Sequence, residues 1–515
     1  MRMSTACKLA RNQFRSLESW LYSEETCLLG LRSVELGEET RGRELLRLLL
    51  QAHINGRGHG DVGPAVELLQ PDPRLLYRQK TRGRRSLLTI FGKVYVERFR
   101  YASRRGSGLH PLDEQLQLPA RSYSYEIQGR LVMRAVQGPF QEAIDAMARL
   151  TEVQIPKRSA ENLVIDASAD FTSFYARRAG GQNKGTGPIL VGSVDCKGIP
   201  MVKPEPAKKQ VRRGKGEKAN KKKMATVAAV FTQKPRVRTP EEVVESLFDP
   251  EPERRKRRKR VSGPERKRVW ASLLAGKDAF IEDVKKEMDR RDPRKKKTWV
   301  AVTDGERALQ RRVCKTMEGI LLVLDFLHAL EKLWAAAYVF HPEGSKAAVA
   351  FVRERALRIL RGQVSQVIKG LRQMVTKRRL RGEKRKTLLA TAGYYSRNRT
   401  RMRYDKYLAK GLPIASGSVE GACKNLIKDR MERSGMRWTP TMAEAMVKMR
   451  ALYLSGDFAE YWDYHIEQEQ RRLYPKGRWR AVPDVVCARH ESRAMGGSIS
   501  RKNILLLGNG FLPPQ

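Results

Sequence analysis

The sequence predicts an α/β class of chain: an α/β core interrupted by a helical insertion, preceded by a mainly helical N-terminal region that carries a β-hairpin. Three observations predict it. Four short apolar runs rich in β-branched residues fall between residues 188 and 324. Helical periodicity dominates residues 12–54 and 125–175, and long basic helical periods fill residues 347–410. At 515 residues the chain has room for several domains, one of them with a sizeable core.

Taken in order, Leu45, Leu46, Leu49 and Ala52 recur at helical spacing, and Asn55-Gly56 ends the run. Residues 87–101 set β-branched and aromatic side chains on both sides of Gly92-Lys93, which predicts a hairpin turning there. From 125 to 175 the helical period returns in three pieces, separated by Gly138-Pro139 and Ile155-Pro156, with Ser159 placed to cap the third. That trio reads either as a helix-turn-helix, with Lys157, Arg158 and Asn162 entering a DNA groove, or as a helical hairpin of the core. Residues 188–202 predict a buried strand, a Gly-containing turn and the start of a second strand, and 224–231 predict another. Two further apolar runs, 299–303 and 320–324, end at Asp304 and Asp325. Beyond His341 basic helices continue until Gly411-Leu412-Pro413, and residues 417–433 and 440–464 add two more helices. The expected divisions are 1–80, 81–180, 188–340, 341–411, 412–475 and a tail, 476–515.

Charge narrows the partner. The chain holds 103 Lys and Arg against 56 Asp and Glu, a net charge of +47, and such an excess strains a compact state unless a polyanion shares the surface. Nucleic acid is that partner. Residues 203–223 alone carry ten basic and two acidic residues, and residues 254–260 form a second basic run; both read as solvated loops or phosphate contacts. No apolar run reaches the roughly 18 residues of a spanning helix, so a membrane-embedded chain is not expected. Six cysteines without a C-x-x-C pair indicate neither a zinc ribbon nor a disulfide framework, and the polar N-terminus lacks the apolar stretch of a secretory signal. The expected compartment is the cytoplasm.

Three carboxylates stand where apolar elements end or a helix opens: Asp195 on a strand, Asp304 after one, and Glu420 in a first helical turn. Two metal ions about 3.5–4 Å apart need bridging carboxylate oxygens of this kind to activate an attacking oxygen and stabilise a leaving one. Magnesium suits such ligands. Any single acid at a strand end also serves as a turn or cap residue. Lys424 and Lys428 follow Glu420 at i+4 and i+8, so the face with the carboxylate also presents two ammoniums, as a phosphodiester track or a solvated charged face would. Arg433, Arg437 and Trp438 offer phosphate contact with stacking on an unpaired base, or else a core tryptophan beside surface cations.

The segments VDCKGIPMVK, KKKMATVAAVF, VTDGERALQ, LDFLHALEKLW, GLPIASGSVEGACKNLIKDRMERSGMRW and YLSGDFAEYW resemble, in this order, those of DDE transposases of the Kra-type insertion-sequence group. The resemblance runs from about Thr89 to Pro475. It implies an RNase H-like core with Asp195, Asp304 and Glu420 as catalytic, metal-holding acids for two Mg2+ ions, with Mn2+ as a substitute. The second and third acids lie 116 residues apart, which fits a helical insertion between them. Asp325 and His328 resemble the D-x-x-H element of Mutator-like transposases, with Asp325 capping its helix and His328 facing a phosphate or orienting an active-site group; a lone helical His is otherwise packed or solvated. The implied partners are double-stranded DNA, as terminal inverted repeats and as target, and a second copy of the chain in the active complex. A non-catalytic DNA-binding derivative and a structure-specific nuclease are the competing expectations.

Overall fold

The computed structural model describes residues 5–69, 76–104, 106–178, 186–202, 222–248 and 263–482. Both basic runs, apart from Lys222 and Lys223, and the tail beyond residue 482 lie outside these residues, as does most of the expected linker at 180–187. The chain forms two compact units, one of Met1–Arg130, Ala146–Ile155 and Ile466–Gln515, the other of Leu131–Asp145 and Pro156–His465. The expected region 81–180 is thus shared: its hairpin belongs to the first unit, and the helix Lys157–Ala167 to the second.

In the first unit the helices Thr5–Leu21 and Leu31–Gly56 lie side by side, with the Trp20 ring over Gly37 and the Arg41 guanidinium 4.0 Å from the ring centre. Strand β1 (Ala65–Leu68) pairs with β2 (Leu76–Tyr77) and, more than 400 residues on, with Trp479–Val482. Strands β3 (Gln79–Thr89) and β4 (Gly92–Ser103) make the expected hairpin, and β5 (Gly106–Leu109) extends it. Its turn is Ile90-Phe91, two residues earlier than expected, because Thr89 pairs with Gly92. Gly92 instead opens the return strand at φ +114°, a conformation that suits a residue without Cβ.

The second unit is built on a five-stranded mixed sheet of β6 (Ile189–Pro200), β7 (Lys222–Gln233), β8 (Glu265–Ser272), β9 (Thr298–Thr303) and β10 (Leu321–Leu324), in the order β10-β9-β6-β7-β8. The chain runs antiparallel through β6, β7 and β8, then returns so that β9 and β10 lie parallel to β6. Four of the five strands match apolar runs in the sequence; β8 does not, since it opens on Glu265-Arg266-Lys267-Arg268 and is an edge strand buried only from Arg268 onward. The turn expected within 188–202 is absent. β6 is continuous, pairing with β7 from Ile189 to Pro200, and Gly198 serves close approach: a Cβ there would meet Lys222 Cβ at 2.9 Å.

Apolar residues of β6, β9 and β10 share one buried cluster with the helices Phe326–Ala337, Lys346–Leu360, Val364–Lys377, Gly382–Asn398 and Tyr404–Ala409. The helical insertion is therefore a layer of the core. Pro440–Ser455 packs on β8 and on Lys157–Ala167, and Glu444 ties it to the sheet by accepting from the Ser272 hydroxyl at 2.9 Å and the Leu273 N–H at 2.7 Å. The expected trio of helices at 125–175 is four: Tyr125–Ala135, Phe140–Thr151, Lys157–Ala167 and Phe171–Arg177. Pro156 stands at the N-cap position of the third, so Ser159 is a helical residue and not a cap.

Candidate active site

The sheet register carries two of the three acids to one level. β6 and β9 pair as Ile189 with Thr298, Leu190 with Trp299 and Val191 with Val300, a constant offset of 109 residues. The Val302 N–H donates to the Ser193 hydroxyl at 3.4 Å and keeps that offset. Asp195 and Asp304 stand at the next step of the same offset, Asp195 in the middle of β6 and Asp304 directly after the C-terminal end of the parallel β9. Asp325 joins them directly after β10, whose Leu324 pairs with Thr303, and its N–H donates to the Thr303 carbonyl at 2.8 Å. The ends of β9 and β10 are the kind of place where open α/β sheets gather ligands, since the chain leaves the sheet there and turns into helices, and β6 runs past them alongside.

The third acid arrives on the helix Gly417–Ala422, continued by a π-helical turn, Cys423–Lys428. Two contacts fix its place. At its start, Ser416 donates to Asp325 from both its backbone N–H (3.1 Å) and its hydroxyl (2.7 Å). One turn past Glu420, the Cys423 thiol donates to Asp195 Oδ2 at 3.2 Å. Glu420 is exposed between these anchors, so its helix is held against the part of the sheet that bears Asp195 and Asp325. A π-turn inside an α-helix is uncommon and concentrates at functional sites.

Asp325 is fully buried and serves as a hub. It caps its own helix through the Leu327 N–H at 3.2 Å, as expected, and lies 2.5 Å from His328 Nδ1. Burial alone would raise its carboxyl, but the bonds from His328 and Ser416 outweigh burial and hold it below the ordinary carboxylate range. The hydrogen bond to Asp325, against the opposing effect of burial, pushes His328 up to about 9. His328 is then an imidazolium at neutral pH whose side chain is 36% exposed, which leaves the second ring nitrogen to act as a donor.

Sequence reasoning missed three residues here: Ser416, Cys423 and Tyr394. The Tyr394 hydroxyl, on the insertion helix Gly382–Asn398, donates to the Asp304 carbonyl at 2.6 Å. It also packs over Gly305, whose φ is +96° and whose Cβ would stand 2.8 Å from that oxygen. The insertion thus clamps the turn that carries the second acid. Asp304 Oδ1 accepts from the Glu306 N–H at 2.9 Å, while Glu306 itself turns away to Lys277 at 3.4 Å. Ser416 had a legible signal, a serine directly before a helical run; Tyr394 had none.

The donor set suits a hard divalent cation in kind, since it is all oxygen and two of the acids sit on or directly after rigid strands. In this conformation each aspartate faces its own partners, Asp195 Oδ1 the Cys196 N–H and Oδ2 the Cys423 thiol. Among the described residues no three His, Cys, Asp or Glu side chains are drawn close enough to hold one ion.

The cations expected on DNA fall into two groups. Lys424, Lys428, Arg433 and Arg437 are exposed within the same segment as Glu420. Lys157 and Arg158 are exposed and Asn162 half-buried on a helix whose other face, Ala160, Leu163, Val164 and Ala167, is core. Trp438 differs from the base-stacking expectation. It is buried, with its indole N–H donating to the Met431 carbonyl at 2.9 Å and the Arg430 guanidinium 4.9 Å from its ring centre, so its ring faces protein. A scan against protein-family models and a comparison with curated proteins find no match to this chain.

Proposed function

We propose that this chain is a DDE transposase that cuts DNA at the ends of an insertion sequence and joins the freed 3′ ends to a target. One observation carries the reading: the shared 109-residue offset of β6 and β9 sets Asp195 level with Asp304, while the Cys423 contact holds the Glu420 helix against Asp195. The mixed sheet, with three antiparallel strands followed by two parallel ones, supports reading the core as RNase H-like.

Asp195, Asp304 and Glu420 would hold two Mg2+ ions, or Mn2+ in their place. Metal bound there lowers the cost of forming an attacking oxygen and of releasing the 3′-oxygen in an in-line displacement at phosphorus. The protein's own groups do the rest. Asp195 gives up its bond from the Cys423 thiol when its oxygens are engaged elsewhere. His328, protonated and oriented by Asp325, donates to a phosphate oxygen. Lys424, Lys428, Arg433 and Arg437 hold the neighbouring phosphodiesters, and the net charge of +47 draws DNA in from a distance. The reading sets the reaction in the bacterial cytoplasm, on terminal inverted repeats and target DNA.

The test uses DNA flanking the reading frame with Mg2+ and compares wild type with Asp195→Asn, Asp304→Asn and Glu420→Gln. Each variant is expected to lose nicking and joining by at least about a hundredfold while keeping its affinity for DNA. Wild-type joining in any variant removes that residue from the site. Salt-sensitive binding with no chemistry in the wild type points to a DNA-binding derivative, and cutting governed by DNA structure instead of end sequence points to a nuclease.

A further inference from the structure

The chain's net charge is +47, yet residues 5–56 hold seven basic and seven acidic residues and contribute nothing to it. These residues form the helical pair of the first unit, Thr5–Leu21 and Leu31–Gly56. Among the described residues, nine of the eighteen exposed large apolar side chains lie within residues 5–56, six of them on the two helices, Leu9, Phe14, Leu36 and Leu46 among these. A neutral, apolar surface is a poor phosphate track, and a concentration of exposed apolar side chains marks a protein contact.

Each helix also has a face on which one sign of charge prevails. The first helix packs inward through Ala10 and Trp20, which leaves Lys8, Arg11 and Arg15 exposed along its outer face with one acid, Glu18, after them. The second helix exposes Glu35, Glu38 and Glu39 along a groove of about 470 Å³ lined by Leu46, Ile90, Phe91 and Leu150, with Arg32 exposed one turn before Glu35. Arg43 and Arg130 also line the groove, but Arg43 is engaged by Glu39 at 2.7 Å and by the Leu150 carbonyl at 2.7 Å. Glu35 and Glu38 have no ion pair among the described residues.

We propose that a second copy of this chain occupies the groove. Lys8, Arg11 and Arg15 of its first helix meet the acidic rim, and the flanking Leu9 and Phe14 cover the apolar lining. The same contact made in both directions gives a closed dimer. The N-terminal helical pair is then the self-association element of a chain whose remaining surface repels its own copies. The transposase reading expects a second copy without saying where it binds; the surface assigned here deepens that reading, and its test does not depend on it.

The experiment is sedimentation velocity on the full-length protein freed of nucleic acid. Wild type is expected as a dimer at micromolar concentration. Glu35→Arg with Glu38→Arg and Glu39→Arg should weaken self-association by about tenfold or more, and Lys8→Glu with Arg11→Glu and Arg15→Glu should do the same. Combining all six substitutions should restore the dimer, which misfolding cannot do, and circular dichroism should be unchanged throughout. A monomeric wild type, a triple variant with undiminished self-association, or six substitutions that fail to restore the dimer overturns the proposal. So does a basic-face variant that loses DNA affinity while still self-associating, because the stripe would then be a DNA contact. The readout uses neither metal nor strand joining, so its failure and a failure of the transposase reading are separable.

Discussion

Replacing Asp325 with Asn tests whether one buried carboxylate organises the site. The carboxylate accepts from His328 Nδ1 at 2.5 Å, the Ser416 hydroxyl at 2.7 Å, and the N–H groups of Ser416 and Leu327 at 3.1 and 3.2 Å. His328 rises from 6.5 to about 9 chiefly through its bond to Asp325. At about 1.4 kcal/mol per pH unit that corresponds to roughly 3 kcal/mol, and solvent screening of a side chain 36% exposed cuts it to about 1.5 kcal/mol. Weakening the two Ser416 bonds, which an amide oxygen accepts less well than a carboxylate, adds about 1 kcal/mol. The expected loss near neutral pH is therefore about 2–3 kcal/mol. The sign follows from the shift: a raised histidine contributes fully below its unfolded value near 6.5, and that contribution fades as pH climbs through about 9. On the acid side, the lowered Asp325 carboxyl keeps its contribution until pH falls through its folded value. Urea unfolding should show a wild-type advantage that is largest near pH 6 and shrinks to about 1 kcal/mol near pH 10. Histidine NMR should place His328 near 9 in wild type and closer to 6.5 in the variant. A wild-type His328 titrating near 6.5, or an advantage that does not change between the two pH values, would refute the coupling.

Two further perturbations probe the supports of the site. Tyr394→Phe removes the 2.6 Å bond to the Asp304 carbonyl; it should cost about 1 kcal/mol in urea unfolding and slow strand joining about tenfold at unchanged DNA affinity. Equal joining rates would sever the insertion from the second acid. Glu444→Ala strips the acceptor from the Ser272 hydroxyl and the Leu273 N–H at the end of β8, and should cost about 2–4 kcal/mol; unfolding within about 0.5 kcal/mol of wild type would mean the tie is dispensable.

The strands that position the acids were legible because residues such as Val300, Val302, Leu322 and Val323 are buried and belong to unbroken apolar runs. β8 was hidden by its charged opening, tolerated because it is an edge strand. Gly198 carries the same turn signal as a true turn glycine, and only the pairing with β7 tells that it allows Lys222 to come close. Asp195 on a strand and Asp304 after one were legible one by one, but their common level depends on a register between strands 109 residues apart, which periodicity does not encode. The same holds for Cys423 on Asp195, 228 residues apart, and for Tyr394 on Asp304. Trp438 was ambiguous because surface arginines flank it, and its burial is set by Met431 and Arg430.

The most direct measurement of the claim that Asp195, Asp304 and Glu420 form one metal site replaces Mg2+ with Fe2+ in the presence of ascorbate and peroxide, and maps where hydroxyl radicals cut the polypeptide. Cuts are expected to cluster around these three residues, to be suppressed by excess Mg2+, and to vanish in Asp195→Asn. Cleavage elsewhere, or the same pattern in that variant, would contradict a shared site.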